Sequence, residues 1–191
     1  MATQVRGAAR RAQLLDQLVD LLLADGFAHL TLDAIAGRLR CSKSTLYALA
    51  DSKEQLVRVA TVHFFRGATD RVESRLAGAV GARVRIGAYL DAVGEQLRPA
   101  SARFMEDLAA NAVVREVYER NTRFAARRVQ ELIAEGVDAG EFRDVHAEFA
   151  ADVVTSTMVR IQCRQVAEAT GLDDAQAYAE LAALVTHGLS V

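Results

Sequence analysis

Proline is almost absent from this chain of 191 residues, in which it occurs once, at Pro99. Proline interrupts helices more strongly than any other residue, because it lacks a backbone N–H and its ring clashes with the preceding turn. Long stretches of Ala, Leu, Arg and Glu place apolar residues three to four positions apart, which is the spacing of a helix face. These stretches leave no segment with the alternating Val, Ile and Thr pattern of a β-strand. We therefore predict an all-α protein of about nine helices.

The composition limits where the chain can act. Its apolar content of 51% and charged content of 25% are those of a globular protein. A net charge of −2 gives the chain no overall attraction to nucleic acid or to a membrane, so any such partner must bind a local patch. No apolar run reaches the roughly 18 residues of a membrane helix. The two cysteines, Cys41 and Cys163, lie far apart and fit a reducing compartment, so we expect a cytoplasmic protein without membrane attachment.

Three short helices fit into the first 52 residues. An apolar stripe predicts the first helix over residues 10–25, and Gly26 then supplies a left-handed stop. Thr31 is a good N-cap for a second helix that ends near Arg40. Ser42 can cap a third helix of about two turns.

A fourth helix is predicted directly after these three. Asp51 and Glu54 have the three-residue spacing of a capping box, with Asp51 as the N-cap. We expect this helix to continue from the N-terminal segment into the remainder of the chain.

The third helix has two different faces. On a helical wheel one side carries a cationic and aromatic set, consisting of Lys43, Ser44, Tyr47 and Ala48. The other side buries Leu46 and Leu49. A helix, a tight turn and a second short helix with such a face are what insertion into the DNA major groove requires. Basic residues also slightly outnumber acidic ones over residues 1–53.

The same stretch carries a family resemblance. Residues 26–56 read GFAHLTLDAIAGRLRCSKSTLYALADSKEQL. They resemble the DNA-binding segment of TetR-type transcriptional regulators, with its Gly-aromatic helix end, Thr before helix two, Ile-Ala pair, Ser-Lys-x-Thr-Leu-Tyr and Ser-Lys-Glu-x-Leu. The "GEF" turn at residues 140–142 is also of a kind common in that family. Two features depart from the pattern: Arg40 stands where the turn usually has Gly, and Leu49-Ala50 replace a His- or Tyr-Phe pair.

The resemblance implies an N-terminal three-helix DNA-binding head at residues 1–52. It implies a larger C-terminal helical bundle at residues 53–191 that binds an effector and dimerises. By analogy the residues that meet DNA are Thr31, Arg40, Ser42, Lys43, Ser44, Thr45, Tyr47 and Lys53.

The C-terminal part is predicted to hold six helices. Glycines mark the turns, and the approximate spans are 53–77, 82–97, 100–110, 112–136, 145–170 and 173–189. Pro99 is placed at the start of the third of these, where its missing N–H is harmless. A bundle that binds a small effector must line a cavity, and our candidates are His63, Tyr89, Phe104, Leu108, Tyr118, Met158 and Gln162. Ordinary core packing is the alternative for each of them.

The last two predicted helices look like a subunit interface. Their small apolar faces are Ala147, Ala150, Ala151, Val154, Met158 and Ile161 on one, and Ala175, Ala179, Ala182, Leu184, Val185 and Leu189 on the other. Such faces let helices approach closely across a two-fold axis, so we expect a homodimer through these helices. The alternative is that both faces pack inside a monomer.

Other chemistry finds no support in the sequence. The four histidines are scattered, no Cys/His spacing matches a zinc motif, and no nucleophile–base constellation stands out. Cys41 is expected to be a small buried residue of the turn rather than a redox sensor. We therefore expect no metal, no cofactor and no enzymatic activity.

These features together predict a one-component transcriptional regulator. We expect a repressor that binds a palindromic double-stranded operator as a dimer and is released by a small apolar or aromatic effector. The alternative is a helical interaction protein of the same fold that has lost operator reading. DNA binding that falls as salt rises would distinguish the first from the second.

Overall fold

The structure is a computed structural model that describes residues 2–189, with side chains from residue 9 onward. Over this range the chain forms ten α-helices and no β-strand: α1 (Ala2–Asp25), α2 (Leu32–Arg38), α3 (Lys43–Tyr47), α4 (Lys53–Leu76), α5 (Ala82–Leu97), α6 (Ala102–Ala110), α7 (Ala112–Asp138), α8 (Ala147–Gln162), α9 (Gln165–Thr170) and α10 (Asp174–Leu189). The all-α prediction is confirmed. The number of helices exceeds the predicted nine by one.

The additional helix arises from a break that the sequence does not signal. The helix predicted over residues 145–170 is two helices, α8 and α9, separated at Arg164. Arg164 adopts a left-handed conformation with φ 63°. Its guanidinium Nη1 lies 2.9 Å from Asp174 Oδ1, an ion pair that helps to hold the turn. Left-handed breaks are expected at Gly or Asn, so an arginine here gives no warning.

The predicted caps of the second and third helices are confirmed. The Thr31 side chain accepts a hydrogen bond from the Ala34 N–H at 3.1 Å. The Ser42 side chain accepts one from the Thr45 N–H at 3.2 Å. Each hydroxyl thus satisfies one of the unpaired donors at a helix N-terminus.

Two other predicted starts are wrong by a few residues. The cap of α4 is Ser52 rather than Asp51, because the Ser52 hydroxyl accepts the hydrogen bond from the Gln55 N–H at 3.2 Å. Pro99 lies in the turn before α6, and Ser101 caps that helix. In both cases a nearby serine is the N-cap, because its hydroxyl accepts a hydrogen bond from a backbone N–H of the first turn.

The first compact unit runs through Gly67 and includes Pro99–Tyr118. It contains α1, α2, α3, the first part of α4, α6 and the start of α7. Its large, fully buried side chains include Leu18, Leu22, Ile35, Leu46 and Leu56. Burial of each such side chain contributes about 1.5–3 kcal/mol. The predicted division at residues 52/53 concerns function and stays a prediction.

The second compact unit comprises Ala68–Arg98 and Glu119–Val191. Within it α5 and α10 pack together over a core whose fully buried members include Ile86, Leu90, Leu132, Ile133 and Ile161. Gly136 is required in this core, because a Cβ there would lie 2.2 Å from the Phe142 ring.

The faces predicted for the dimer contact are partly wrong. Four of the named residues on α8, Ala151, Val154, Met158 and Ile161, are buried within the core of the second unit. Ala182 and Leu189 of α10 are buried there as well. A sequence pattern finds the apolar stripe of a helix but does not say whether that stripe meets the same chain or another.

None of the helices formed by residues 2–189 combines the length and the hydropathy needed to cross a membrane.

Candidate nucleic-acid interface

The turn between α2 and α3 is a Schellman motif with an arginine at its left-handed position. The Cys41 N–H donates to the Ala36 carbonyl at 3.0 Å, and the Arg40 N–H donates to the Gly37 carbonyl at 3.2 Å. Arg40 itself has φ 50°. This geometry normally selects glycine, because a Cβ is strained there. Arg40 therefore stands where the resembled family usually has glycine, and the turn keeps the geometry that glycine favours.

The short helix α3 presents the two faces expected from the wheel. Leu46 is 1% exposed and Leu49 is also buried. Tyr47 is 50% exposed, and Lys43 and Ser44 lie in the open. The expected orientation of α3 is confirmed, with a polar and aromatic surface away from the core. Leu49 packs inward, so it stabilises the head where the resembled family usually carries a polar or aromatic residue.

The hydroxyls at the start of α3 form one small network. Ser42 Oγ lies 2.7 Å from Ser44 Oγ and 2.8 Å from Thr45 Oγ1. Ser42 and Ser44 are exposed, so the network can exchange these hydrogen bonds for bonds to another acceptor. Hydroxyls of this kind donate to phosphate and base edges in protein–DNA contacts.

Two lysines predicted to meet DNA have internal partners. Lys43 Nζ lies 2.7 Å from Asp33 Oδ2, and this hydrogen bond raises the pKa of Lys43 above its ordinary value. Lys53 Nζ donates to the Ala28 carbonyl at 2.8 Å. The Lys43 ion pair is exposed, and such pairs are weak, so the ammonium can exchange Asp33 for another anion. Lys53, which is less exposed, ties the start of α4 to the turn after α1.

Asp107 of α6 supports the turn after α1, a contact that was not predicted from the sequence. Its Oδ2 accepts hydrogen bonds from the Phe27 N–H at 2.5 Å and from the Ala28 N–H at 2.8 Å. The Ser101 N–H adds a bond to the Leu23 carbonyl at 2.8 Å. The partners are some 80 residues apart in the chain, so no local pattern could have revealed them.

A groove of about 370 Å³ opens between α1 and the helix-turn-helix. Its polar lining consists of Arg10, Arg11, Gln13 and Gln17 of α1, Arg40 and Cys41 of the turn, and Thr45 of α3. The arginines of α1 were not among the predicted site residues. Their basic character was visible in the sequence, but the side of α1 on which they lie depends on tertiary packing.

Cys41 lines this groove as a partly buried free thiol. Burial raises the pKa of the Cys41 thiol above its ordinary value. The thiolate, which is the reactive form, is therefore scarce at neutral pH. This environment agrees with the expected role of Cys41 as a small residue of the turn.

The predicted effector contacts fall into both compact units. His63, Phe104, Leu108 and Tyr118 belong to the first unit, whereas Tyr89, Met158 and Gln162 belong to the second. All the apolar and aromatic members are buried.

The polar members have clear neighbours. His63 Nε2 lies 2.7 Å from Asp16 Oδ1 at a partly exposed position. Gln162 Nε2 donates to the Tyr178 hydroxyl at 2.9 Å. Burial raises the pKa of Tyr89 well above its ordinary value. Their roles toward an effector remain predictions.

Metal chemistry has no geometric basis in the part of the chain that the structure describes. No group of three or more His, Cys, Asp or Glu side chains comes close enough there to hold an ion.

A comparison with protein-family models matches residues 14–60 to the family described as bacterial regulatory proteins, tetR family. The matched segment contains the turn, α3 and its exposed face. A search of curated proteins found no match.

Solved structures with the same fold include three that are similar over nearly the whole chain. A protein assigned as a transcriptional regulator of Saccharomonospora viridis, solved in complex with choline, is 18% identical, with a TM-score of 0.79 and coverage of 96% of this chain and 99% of that one. A TetR transcription regulator from Haloarcula marismortui is 18% identical, with a TM-score of 0.78 and coverage of 96% and 100%. The fatty acid degradation regulator FadR from Bacillus halodurans is 16% identical, with a TM-score of 0.72 and coverage of 93% and 98%. At these identities the likeness shows the fold.

Proposed function

Because the chain carries a TetR-family helix-turn-helix segment at residues 14–60 and has the fold of solved TetR-type regulators, we propose that it is a one-component repressor. It binds a palindromic operator as a homodimer and leaves it when a small apolar or aromatic effector binds. The observation that carries this proposal is the exposed polar face of α3 within the matched segment.

The proposed DNA contacts fall into two groups, those that reach base edges and those that bind phosphates. Lys43, Ser44 and Thr45 stand at the start of α3, where side chains of a recognition helix meet base edges. Phosphates are bound by the Tyr47 hydroxyl and by four further side chains: Thr31 before α2, Arg40 and Ser42 in the turn, and Lys53 at the start of α4. Phosphate contacts fix the position of the protein on the duplex, whereas base contacts select the sequence.

Exposed apolar side chains on α8 and α10 support the proposed dimer. Phe149 and Val153 lie four residues apart on one side of α8, and Phe149 is 69% exposed. Leu184 of α10 is 71% exposed. Large apolar side chains exposed in this way commonly mark a protein–protein contact. Leu184 was already part of the predicted face, whereas Phe149 and Val153 replace its buried residues in our account of the interface. The two helices remain the same.

The proposed effector site uses buried aromatic surface. In the first unit Phe104, Leu108 and Tyr118 are buried, and the Phe65 and Tyr118 ring centroids are 6.1 Å apart. Aromatic and aliphatic linings of this kind suit a small apolar or aromatic ligand. The choline complex of the Saccharomonospora viridis protein supports a small-molecule ligand in this fold.

Helix α4 is the proposed element of coupling. It is continuous from Lys53 to Leu76 and contributes to both compact units. An effector that favours one position of α4 over another would change the separation of the two α3 helices in a dimer. That separation must match one turn of DNA, about 34–36 Å, for both half-sites to be read.

Selection of DNA by the purified protein tests this function. The protein is mixed with a randomised duplex library, and retained duplexes are sequenced. We expect a palindrome with half-sites one helical turn apart, or a multiple of that distance, and affinity that falls as salt rises. Failure to enrich or retard any duplex would instead favour an interaction protein of the same fold.

A further inference from the structure

The Lys and Arg side chains of residues 9–53 fall into two groups by their partners. Lys43 pairs with Asp33, and Lys53 donates to a backbone carbonyl. Arg38 pairs with Asp25. These three cations are therefore already occupied in the free protein.

The remaining cations in this range are Arg10, Arg11 and Arg40. None of them forms an ion pair with a carboxylate among the side chains from residue 9 to residue 189. All three are exposed, and all three line the groove between α1 and the helix-turn-helix. The unpaired cations of this range thus meet in one place.

The groove has the charge of an anion site. Among the side chains from residue 9 onward no acidic one lines it, and its apolar lining comes from Leu14, Leu39, Ala48 and Leu49. Like charges placed together repel one another, and an anion between them removes that repulsion. The planar guanidinium of arginine offers paired donors that match the oxygens of a phosphate.

We propose that this groove binds the phosphodiester backbone of DNA, with Arg10 and Arg11 as contacts beside those of the helix-turn-helix. The inference rests on the proposed function. Thr45 of α3 and Ala48, which directly follows α3, form part of the groove wall, so a duplex held by α3 lies against it. A site for a free small anion would be enclosed by buried polar side chains, whereas these arginines are exposed.

A double substitution tests the arginines. We expect R10Q/R11Q to bind both a library-selected duplex and an unrelated duplex more weakly than the parent. The plot of log affinity against log salt should become less steep by roughly two for each protomer bound. Two phosphate contacts are lost per protomer, and each contributes about 0.9 to the slope. The matched control is R83Q/R120Q, which removes the same charge from exposed positions of α5 and α7. We expect the parent slope for that control.

The two native cysteines test the position of the DNA without any substitution. Cys41 lines the groove, whereas Cys163 is exposed at the end of α8. The rate of alkylation of each thiol by N-ethylmaleimide is followed by peptide mass spectrometry with and without saturating selected duplex. We expect the duplex to slow alkylation of Cys41 several-fold and to leave the rate at Cys163 unchanged. Inorganic phosphate alone, at the phosphate concentration of the duplex, should protect neither thiol.

Each outcome decides the proposal. A parent slope in R10Q/R11Q, or an unprotected Cys41 when the parent is fully bound to DNA, overturns the groove site and leaves the proposed function standing. Protection of Cys41 by inorganic phosphate alone overturns it in favour of a small-anion site. A parent protein that binds no duplex overturns both proposals. Circular dichroism of both double variants checks the fold, and the Cys41 measurement on the parent does not depend on it.

Discussion

Arg40 combines a strained backbone with a useful charge. Its left-handed conformation costs a residue with a Cβ roughly 1–2 kcal/mol, part of which glycine would lose again through the entropy of the unfolded chain. We expect Arg40→Gly to raise the free energy of unfolding by roughly 0.5–1 kcal/mol and to weaken DNA binding, because a cation is lost. Urea denaturation and a DNA titration measure the two effects. Arg40→Ala is the control, which should lose affinity without gaining stability. A less stable glycine variant would contradict the assigned backbone strain.

Neighbouring residues of α3 should respond in opposite ways to truncation. Leu46 is fully buried, so Leu46→Ala should lower the free energy of unfolding by about 2–5 kcal/mol. Tyr47 is half exposed, so Tyr47→Ala should weaken operator binding and leave the thermal midpoint nearly unchanged. Thermal unfolding and operator titration at fixed salt are measured on both variants. A destabilised Tyr47→Ala with parent affinity would reverse the assignment of the two faces.

At the level of helices, much could be predicted from local chemistry. The Thr31 and Ser42 caps, the stop at Gly26 and the two faces of α3 depend on residues within one turn of each other. The break at Arg164 was missed because an arginine in the left-handed conformation carries no strong signal. The start of α6 was misplaced because Pro99 and Ser101, two residues apart, are both residue types that favour a helix start. The grouping of the groove arginines was not predicted for a related reason, since the residues around them come from other helices.

Helix α6 contributes a single carboxylate that supports the end of α1. Asp107→Ala would leave the Phe27 N–H without its acceptor in a partly buried setting, at a cost of roughly 1–3 kcal/mol. Glu106→Ala alters the exposed neighbour in α6 and should change stability little. Urea denaturation of the two variants makes the comparison. Equal stabilities would mean that water replaces the carboxylate without loss.

For the molecule as a whole, contacts between distant segments set the limit of sequence reasoning. The first compact unit joins residues before Gly67 with Pro99–Tyr118, and the seven predicted effector contacts are shared between the two units. The hydrophobic pattern placed Phe104 and Met158 among the candidate effector contacts, with core packing as the alternative, and both side chains are buried. The pattern could not assign either side chain to a unit, because the residues that pack against it lie tens of positions away in the sequence.

The exposed apolar residues of α8 and α10 make the proposed dimer testable. Charges placed at the centre of such an interface are costly to bury, so F149E/L184E should be a folded monomer. Because a monomer reads a single half-site, its affinity for the selected palindrome should fall steeply. Val80→Glu is the control, since Val80 is 88% exposed in the same unit but belongs to neither helix. Light scattering gives the mass and titration gives the affinity of each variant. A dimeric F149E/L184E that still reads the palindrome would place the subunit contact on another surface of the protein.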